Sequence, residues 1–258
     1  MIGAKSTFPS ASVLALALVL ATLCGGVAAA KGPESLRESL FGLRPSMPDR
    51  TQTVPVARYV SQQGEAFTLD RSQARPLLKF EDNPEVWALK AQPAPRGDVL
   101  YMNDLGEPVL RATRLGGLTL FTSDQPGGTA AALAGASLAL RLAPLTPQQL
   151  FERLAQASAR ATRSARRLIP FEADASPASS ALMADAAIVA SEAVIRLSHK
   201  PEAKPILARL LKVRLVEGRK AGASFLQGVM QITVAPADGL AGRPSSDRIM
   251  AAAGAPRT

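Results

Sequence analysis

The feature that most constrains the fold is a series of short apolar runs between residues 58 and 122, each ended by residues that favour turns. Asp82-Asn83-Pro84 and Asn103-Asp104-Leu105-Gly106 are strong turn signals of this kind. The runs are four to six residues long, and no gap between them would hold the crossover helices that parallel strands need. The pattern therefore predicts an antiparallel barrel or sandwich over 58–143.

Aromatic residues concentrate in the same window, and large rings dominate core packing. Six of the ten aromatic residues after position 30 lie there: Tyr59, Phe67, Phe80, Trp87, Tyr101 and Phe121. This distribution predicts that the main hydrophobic core belongs to the β-rich region, with Trp87 largely buried in it.

A helical region over 144–210 follows. Thr146-Pro147-Gln148-Gln149 has the residues of a capping box with proline at the first helical position, and apolar residues then recur at helical spacing until Pro170. A second helix is predicted from Ser176-Pro177 to His199, and a third, shorter one after Pro205. The region is thus expected to hold two or three helices.

The C-terminal part returns to strand patterns. A strand and a β-hairpin around Gln227-Gly228 are predicted over 211–235. Residues 236–258 are rich in Ala, Gly and Pro and are expected to form a flexible tail, in which Ser245-Ser246 would belong to a capped turn. The whole pattern predicts an α+β protein.

The first thirty residues have the pattern of a cleaved export signal. Lys5 precedes the apolar run Val13–Leu23, and Ala28-Ala29-Ala30 offers small residues for cleavage before Lys31. The run is about eleven residues, shorter than the roughly 20 that span a bilayer. A periplasmic or secreted protein is therefore predicted, with 31–57 as a Pro-rich leader. A retained anchor, or lipidation at Cys24, is the alternative.

Charge lies unevenly along the chain. From Pro144 to the end there are sixteen basic and nine acidic side chains, a net charge of +7. Such an excess attracts anionic polymers or lipid headgroups, and export argues against nucleic acid as the target. Four arginines of the first predicted helix fall within an arc of about 80° at helical spacing and form the candidate partner- or anion-binding face: Arg153, Arg160, Arg163 and Arg167. A solvated surface helix would show a similar pattern.

Catalytic patterns are sparse. The one histidine, His199, excludes zinc sites with two or three histidines, and the one cysteine lies in the predicted signal. Carboxylates cluster around two turns, where they also suit local hydrogen bonding: Glu81, Asp82, Glu85, Asp98, Asp104 and Glu107. We therefore interpret the chain as a non-enzymatic envelope protein that binds a partner or anionic polymer, with no catalytic residue, metal or cofactor assigned. The alternative is an envelope hydrolase that uses His199 or the turn carboxylates.

Several segments together resemble a known family. They are Phe67–Ser72, Leu77–Asp82, Pro84–Val86, Pro95–Asp98, Leu110–Gly117 and Gly242–Ser246. With them the chain resembles a small family of exported bacterial proteins, domain of unknown function 4908. The resemblance covers most of the chain after the signal and implies an exported protein, but it supplies no catalytic residue.

Overall fold

The computed structural model of the protein describes residues 54–254. The predicted signal peptide at 1–30, most of the leader at 31–57 and the last four residues lie outside the described residues. Within residues 54–254, no helix is both long enough and apolar enough to cross a membrane.

Nine strands form the first sheet, and their antiparallel pairing is the one that the turn spacing predicts, although β9 lies beyond the runs recognised in the sequence. They are β1 (Val56–Ser61), β2 (Ala66–Asp70), β3 (Leu77–Phe80), β4 (Val86–Ala88), β5 (Lys90–Pro93), β6 (Val99–Met102), β7 (Pro108–Ala112), β8 (Leu118–Leu120) and β9 (Thr129–Ala136). Their order across the sheet is β4-β3-β2-β1-β9-β8-β7-β6-β5. The two edge strands are separated in sequence only by the fully buried Leu89, so one segment pairs with β3 at its start and with β6 at its end. This arrangement nearly closes the sheet into a barrel.

The barrel interior holds most of the aromatic residues of the window. Tyr59 stacks on Phe67 at 5.6 Å between ring centroids, and Trp87 meets Phe80 edge to face, also at 5.6 Å. Trp87 itself is partly exposed and packs against the barrel core with Phe80, as predicted.

Four α-helices follow within residues 54–254: α1 (Pro147–Ala165), α2 (Ser180–Ser198), α3 (Lys204–Arg209) and α4 (Ser246–Ala252). The predicted capping box is present, because Gln149 N–H donates to the Thr146 hydroxyl while Thr146 N–H donates to the Gln149 side chain. Helix α2 packs against α1, α4 and the second sheet, which buries it on most sides. The largest buried cluster therefore lies among these helices and not in the barrel, which corrects the predicted position of the main core.

A second sheet contains β10 (Phe171–Ala173), β11 (Lys212–Glu217), β12 (Gly222–Leu226) and β13 (Val229–Val234). The predicted hairpin is present as β12–β13, and its turn residues Gln227 and Gly228 both have positive φ, as a two-residue hairpin turn requires. The sheet extends beyond that hairpin, since β10, β11 and β13 run parallel. Strand β10 was missed because three residues carry no readable alternation.

The predicted flexible tail is wrong for the residues described. Pro236–Gly242 forms 3-10 turns and α4 follows, with Ile249 and Met250 buried among the helices. Polar contacts of Arg243 and Ser246, which composition does not reveal, hold this segment in place. We call residues 236–252 the C-terminal arm.

Candidate functional site

A cavity of about 520 Å³ lies where the C-terminal arm meets the barrel. Strands β4 to β6 line it with residues that include Trp87, Lys90 and Met102. The β6–β7 turn contributes Asp104, the β11–β12 turn contributes Lys220 and the C-terminal arm contributes Arg248. We call this cavity the cleft. Its volume falls in the range of small-molecule sites, roughly 300–1,000 Å³.

Arg243 lies at the inner end of the cleft and connects three elements there through polar contacts. Its side chain is only 2% exposed. Its guanidinium donates to the carboxylate of Asp185 on α2 and to the carbonyl of Val86 on β4, at 2.9 Å for the latter. Its Nη1 also lies 3.8 Å from Glu85 Oε1. Burial raises the pKa of Glu85 above its ordinary value, against the opposing effects of Arg243 and of hydrogen bonds from Ser246.

Two serines attach the arm to turns of the barrel. Ser245 donates its backbone N–H and its hydroxyl to Asp104, at 2.9 and 2.6 Å. Ser246 makes the same pair of bonds to Glu85. Ser245 also caps α4 by accepting from Arg248 N–H, which agrees with the expected capped turn. These carboxylates hold the arm in place, a role that turn chemistry alone would not suggest.

The cations that line the cleft outnumber its free carboxylates. Lys90, Lys220 and Arg248 are exposed, and Arg75 donates to the carbonyl of Ala88 at 3.4 Å. The acidic lining residues are Asp104, held by Ser245, Asp247, held by Arg196 at 2.6 Å, and the exposed Asp238. The surface facing the cavity therefore carries a positive excess.

Trp87 lines the cleft with part of its ring and also packs against the barrel core. Its indole Nε1 is buried and has no hydrogen-bond partner within residues 54–254. An unsatisfied buried donor costs about 1–3 kcal/mol, so an acceptor in the cleft that reached it would be favoured. The edge-to-face contact with Phe80 holds the ring in position.

The four arginines of the predicted face have different surroundings. Arg160 pairs with Glu192 on α2 at 2.9 Å, and Arg167 donates to the carbonyls of Leu207 and Ala208 on α3. Arg153 and Arg163 are exposed, with only a long contact of 3.5 Å from Arg153 to Gln156. Anion binding by the four together stays a prediction.

The residues of the hydrolase alternative do not come together. His199 is exposed at the C-terminal end of α2 and does not line the cleft. Hydrogen bonds from Arg58 and Arg111 lower the pKa of Glu81 and Asp98, respectively, and engage both groups in ion pairs. Glu107 accepts from Asn103 within its own turn, and Asp82 is exposed. Across 54–254, no three acidic, histidine or cysteine side chains are grouped as metal ligands.

Comparison with known proteins gives one match. The model of the family described as "Domain of unknown function (DUF4908)" matches residues 35–253. No curated protein and no solved structure matches the chain.

Proposed function

Since the chain belongs to the family Domain of unknown function (DUF4908), whose description assigns no activity, we propose from its own residues that it is a non-enzymatic binding protein of the bacterial envelope. The cleft between the barrel and the C-terminal arm is its binding site. The cleft combines a ligand-sized volume with exposed cations and a partly apolar lining, and this combination supports the proposal.

The hydrogen bonds and the burial of the acidic groups near the cleft favour binding over catalysis. General acid–base chemistry needs a carboxylate or histidine within reach of a substrate. Asp104 and Asp247 face the cleft with their oxygens already accepting from Ser245 and Arg196, and Glu85 is only 1% exposed. Asp238 is the one exposed carboxylate that lines the cleft and no histidine does, so a hydrolase would have to release these structural contacts to obtain a second acid–base group.

Location in the envelope is supported by the sequence of the first thirty residues. Lys5, the apolar run Val13–Leu23 and Ala28–Ala30 have the order of an export signal with cleavage before Lys31. N-terminal sequencing of the protein from a periplasmic fraction tests this part. A chain that begins at or near Lys31 is expected, and recovery of intact Met1 in the membrane pellet would overturn it.

Four one-ring probes test the binding role: phenol, benzylammonium, benzoate and phenyl phosphate. The full chain is titrated with each, and binding is followed by fluorescence of Trp87, the single tryptophan, and by calorimetry. At least one probe is expected to bind, and Ala221→Phe, which fills the cleft from its lining, is expected to abolish that binding. Binding that survives Ala221→Phe, or no binding by any probe, would overturn the cleft as the site.

An assay for hydrolysis separates the alternative. Two esters that carry the same ring, phenyl acetate and phenyl phosphate, are supplied as substrates, and His199→Ala is compared with the unaltered chain. No hydrolysis above the uncatalysed rate is expected. Turnover that His199→Ala removes would favour the hydrolase instead.

A further inference from the structure

We infer that the ligand of the cleft is a small oxyanion, a carboxylate or a phosphate ester, attached to an apolar portion. This inference rests on the proposed binding role and specifies the chemistry that the site selects. Each part of it comes from a different set of lining residues.

The charged portion follows from the balance of free groups around the cavity. Lys90 and Lys220 line the cavity from different elements, the first from β5 and the second from the β11–β12 turn. Arg248 donates one hydrogen bond to the carbonyl of Asp104, at 3.3 Å. A guanidinium has five N–H donors in all, so others remain for a ligand. Five basic side chains line the cleft, Arg75, Lys90, Lys220, Arg243 and Arg248, against three acidic ones, Asp104, Asp238 and Asp247, so a cationic ligand would meet net repulsion. Carboxylate and phosphate oxygens suit these donors.

A second argument for an acceptor comes from Trp87, which lines the cleft and whose Nε1–H has no acceptor within residues 54–254. Its buried Nε1–H gains nothing from a second donor and is satisfied only by an acceptor such as an oxyanion or ether oxygen. The lysines are exposed and adaptable, whereas the indole is fixed by Phe80. The indole is therefore expected to set the orientation of the ligand, and the lysines to set its charge.

The apolar portion follows from the remaining lining. Ala88, Met102 and Leu105 face the cavity between the charged groups, and methionine adapts to irregular apolar shapes. Binding sites of this size are commonly apolar with a few polar groups that fix orientation. A bare inorganic ion would leave these residues uncovered.

The test uses the same four probes, which share a ring and differ in charge. Benzoate and phenyl phosphate are expected to bind more tightly than phenol, and benzylammonium is expected not to bind. The double variant Lys90→Gln/Lys220→Gln should weaken anion binding about tenfold and leave phenol binding unchanged. Added salt should weaken the anions alone, since it screens exposed charges. The relative affinities of benzoate and phenyl phosphate distinguish a carboxylate ligand from a phosphate ester.

Two further variants make the result specific. Trp87→Phe keeps an aromatic ring and removes the N–H, so anion binding, measured by calorimetry, should weaken while the fold is retained. Arg153→Gln/Arg163→Gln removes two exposed charges outside the cleft and should change nothing. Phenol or benzylammonium binding as tightly as the anions would overturn the oxyanion assignment yet leave a binding cleft. Absence of binding by all four would instead overturn the proposed function itself.

Discussion

The carboxylate of Glu85 accepts both hydrogens that Ser246 offers, the backbone N–H at 2.9 Å and the hydroxyl at 2.5 Å. The two residues are 161 positions apart, one before β4 and the other at the start of α4. Arg196 of α2 donates to the same hydroxyl at 2.7 Å, so barrel, arm and helix meet at one buried serine. This contact holds the arm against the barrel, next to Ser245 and Asp247, which line the cleft.

Arg243→Met tests the buried charges beside that contact. The substitution leaves Glu85 and Asp185 facing each other without the guanidinium, and removing one partner of a buried ion pair costs about 3–5 kcal/mol. Urea denaturation should show this loss in the free energy of unfolding. Arg163→Met, on the exposed side of α1, is the matched control and should change it by less than about 0.5 kcal/mol. Equal effects of the two variants would contradict the role of Arg243.

Asp70 predicts a dependence of stability on pH. Burial alone would raise the pKa of Asp70, but hydrogen bonds from Ser72 and from Leu140 N–H outweigh it and hold this pKa below its ordinary value. A carboxyl group whose pKa is lower in the folded state stabilises the protein above its unfolded-state pKa of about 3.9, and the contribution is lost as the pH falls through the folded value. The ionised side chain therefore stabilises the fold at neutral pH.

Asp70→Asn should accordingly lower the free energy of unfolding by about 1–3 kcal/mol at pH 7, because one charged acceptor of these hydrogen bonds is lost. The difference should narrow as the pH falls below about 3.9. Asp82→Asn, in an exposed turn, is the control and should show little difference at either pH. A constant difference for Asp70→Asn across the range would show that ionisation is not the cause.

Gly242→Ala tests the close backbone packing of the first half of the C-terminal arm. A Cβ built at Gly242 would lie 2.0 Å from the carbonyl oxygen of Ala235, and this oxygen belongs to rigid backbone. Overpacking of this kind costs about 1–3 kcal/mol, so the variant should be destabilised and bind probes in the cleft less well. Gly222→Ala is the matched control, since nothing lies within 4 Å of its added Cβ. Equal melting temperatures for the two variants would contradict the close packing.

Local patterns predicted the elements of this fold better than their assembly. The turn signals gave the barrel strands, and the residues 146–149 gave the cap of α1, because both depend on interactions within a few residues. The barrel closure through Leu89 and the parallel pairing of β10 with β11 depend on contacts between distant segments, which no spacing rule reveals.

The candidate site was harder to predict for the same reason. Glu85 and Asp104 were singled out as turn carboxylates, and Ser245-Ser246 as a capped turn, but nothing in the sequence shows that they face each other. The alanine- and glycine-rich composition after Pro236 indicated flexibility, although small residues also allow the close packing observed there. Trp87 was predicted as a core residue. Its place at the cleft follows only from the way β4 and β5 meet the C-terminal arm.

The arginines of α1 give the last prediction, because the structure divides them into two pairs. Arg160 and Arg167 contact α2 and α3, whereas Arg153 and Arg163 project from the exposed side. Arg160→Gln/Arg167→Gln should lower the free energy of unfolding by about 1–2 kcal/mol. The double variant loses one half-exposed ion pair and the hydrogen bonds from Arg167 to carbonyls at the C-terminal end of α3. Arg153→Gln/Arg163→Gln keeps good helix formers and should leave stability unchanged.

Chemical denaturation of both variants measures the difference, and retention on immobilised heparin tests whether the exposed pair binds an anionic polymer. Unchanged retention of the Arg153/Arg163 variant would identify this side of α1 as ordinary solvated surface, and equal stability of the two variants would contradict the division itself.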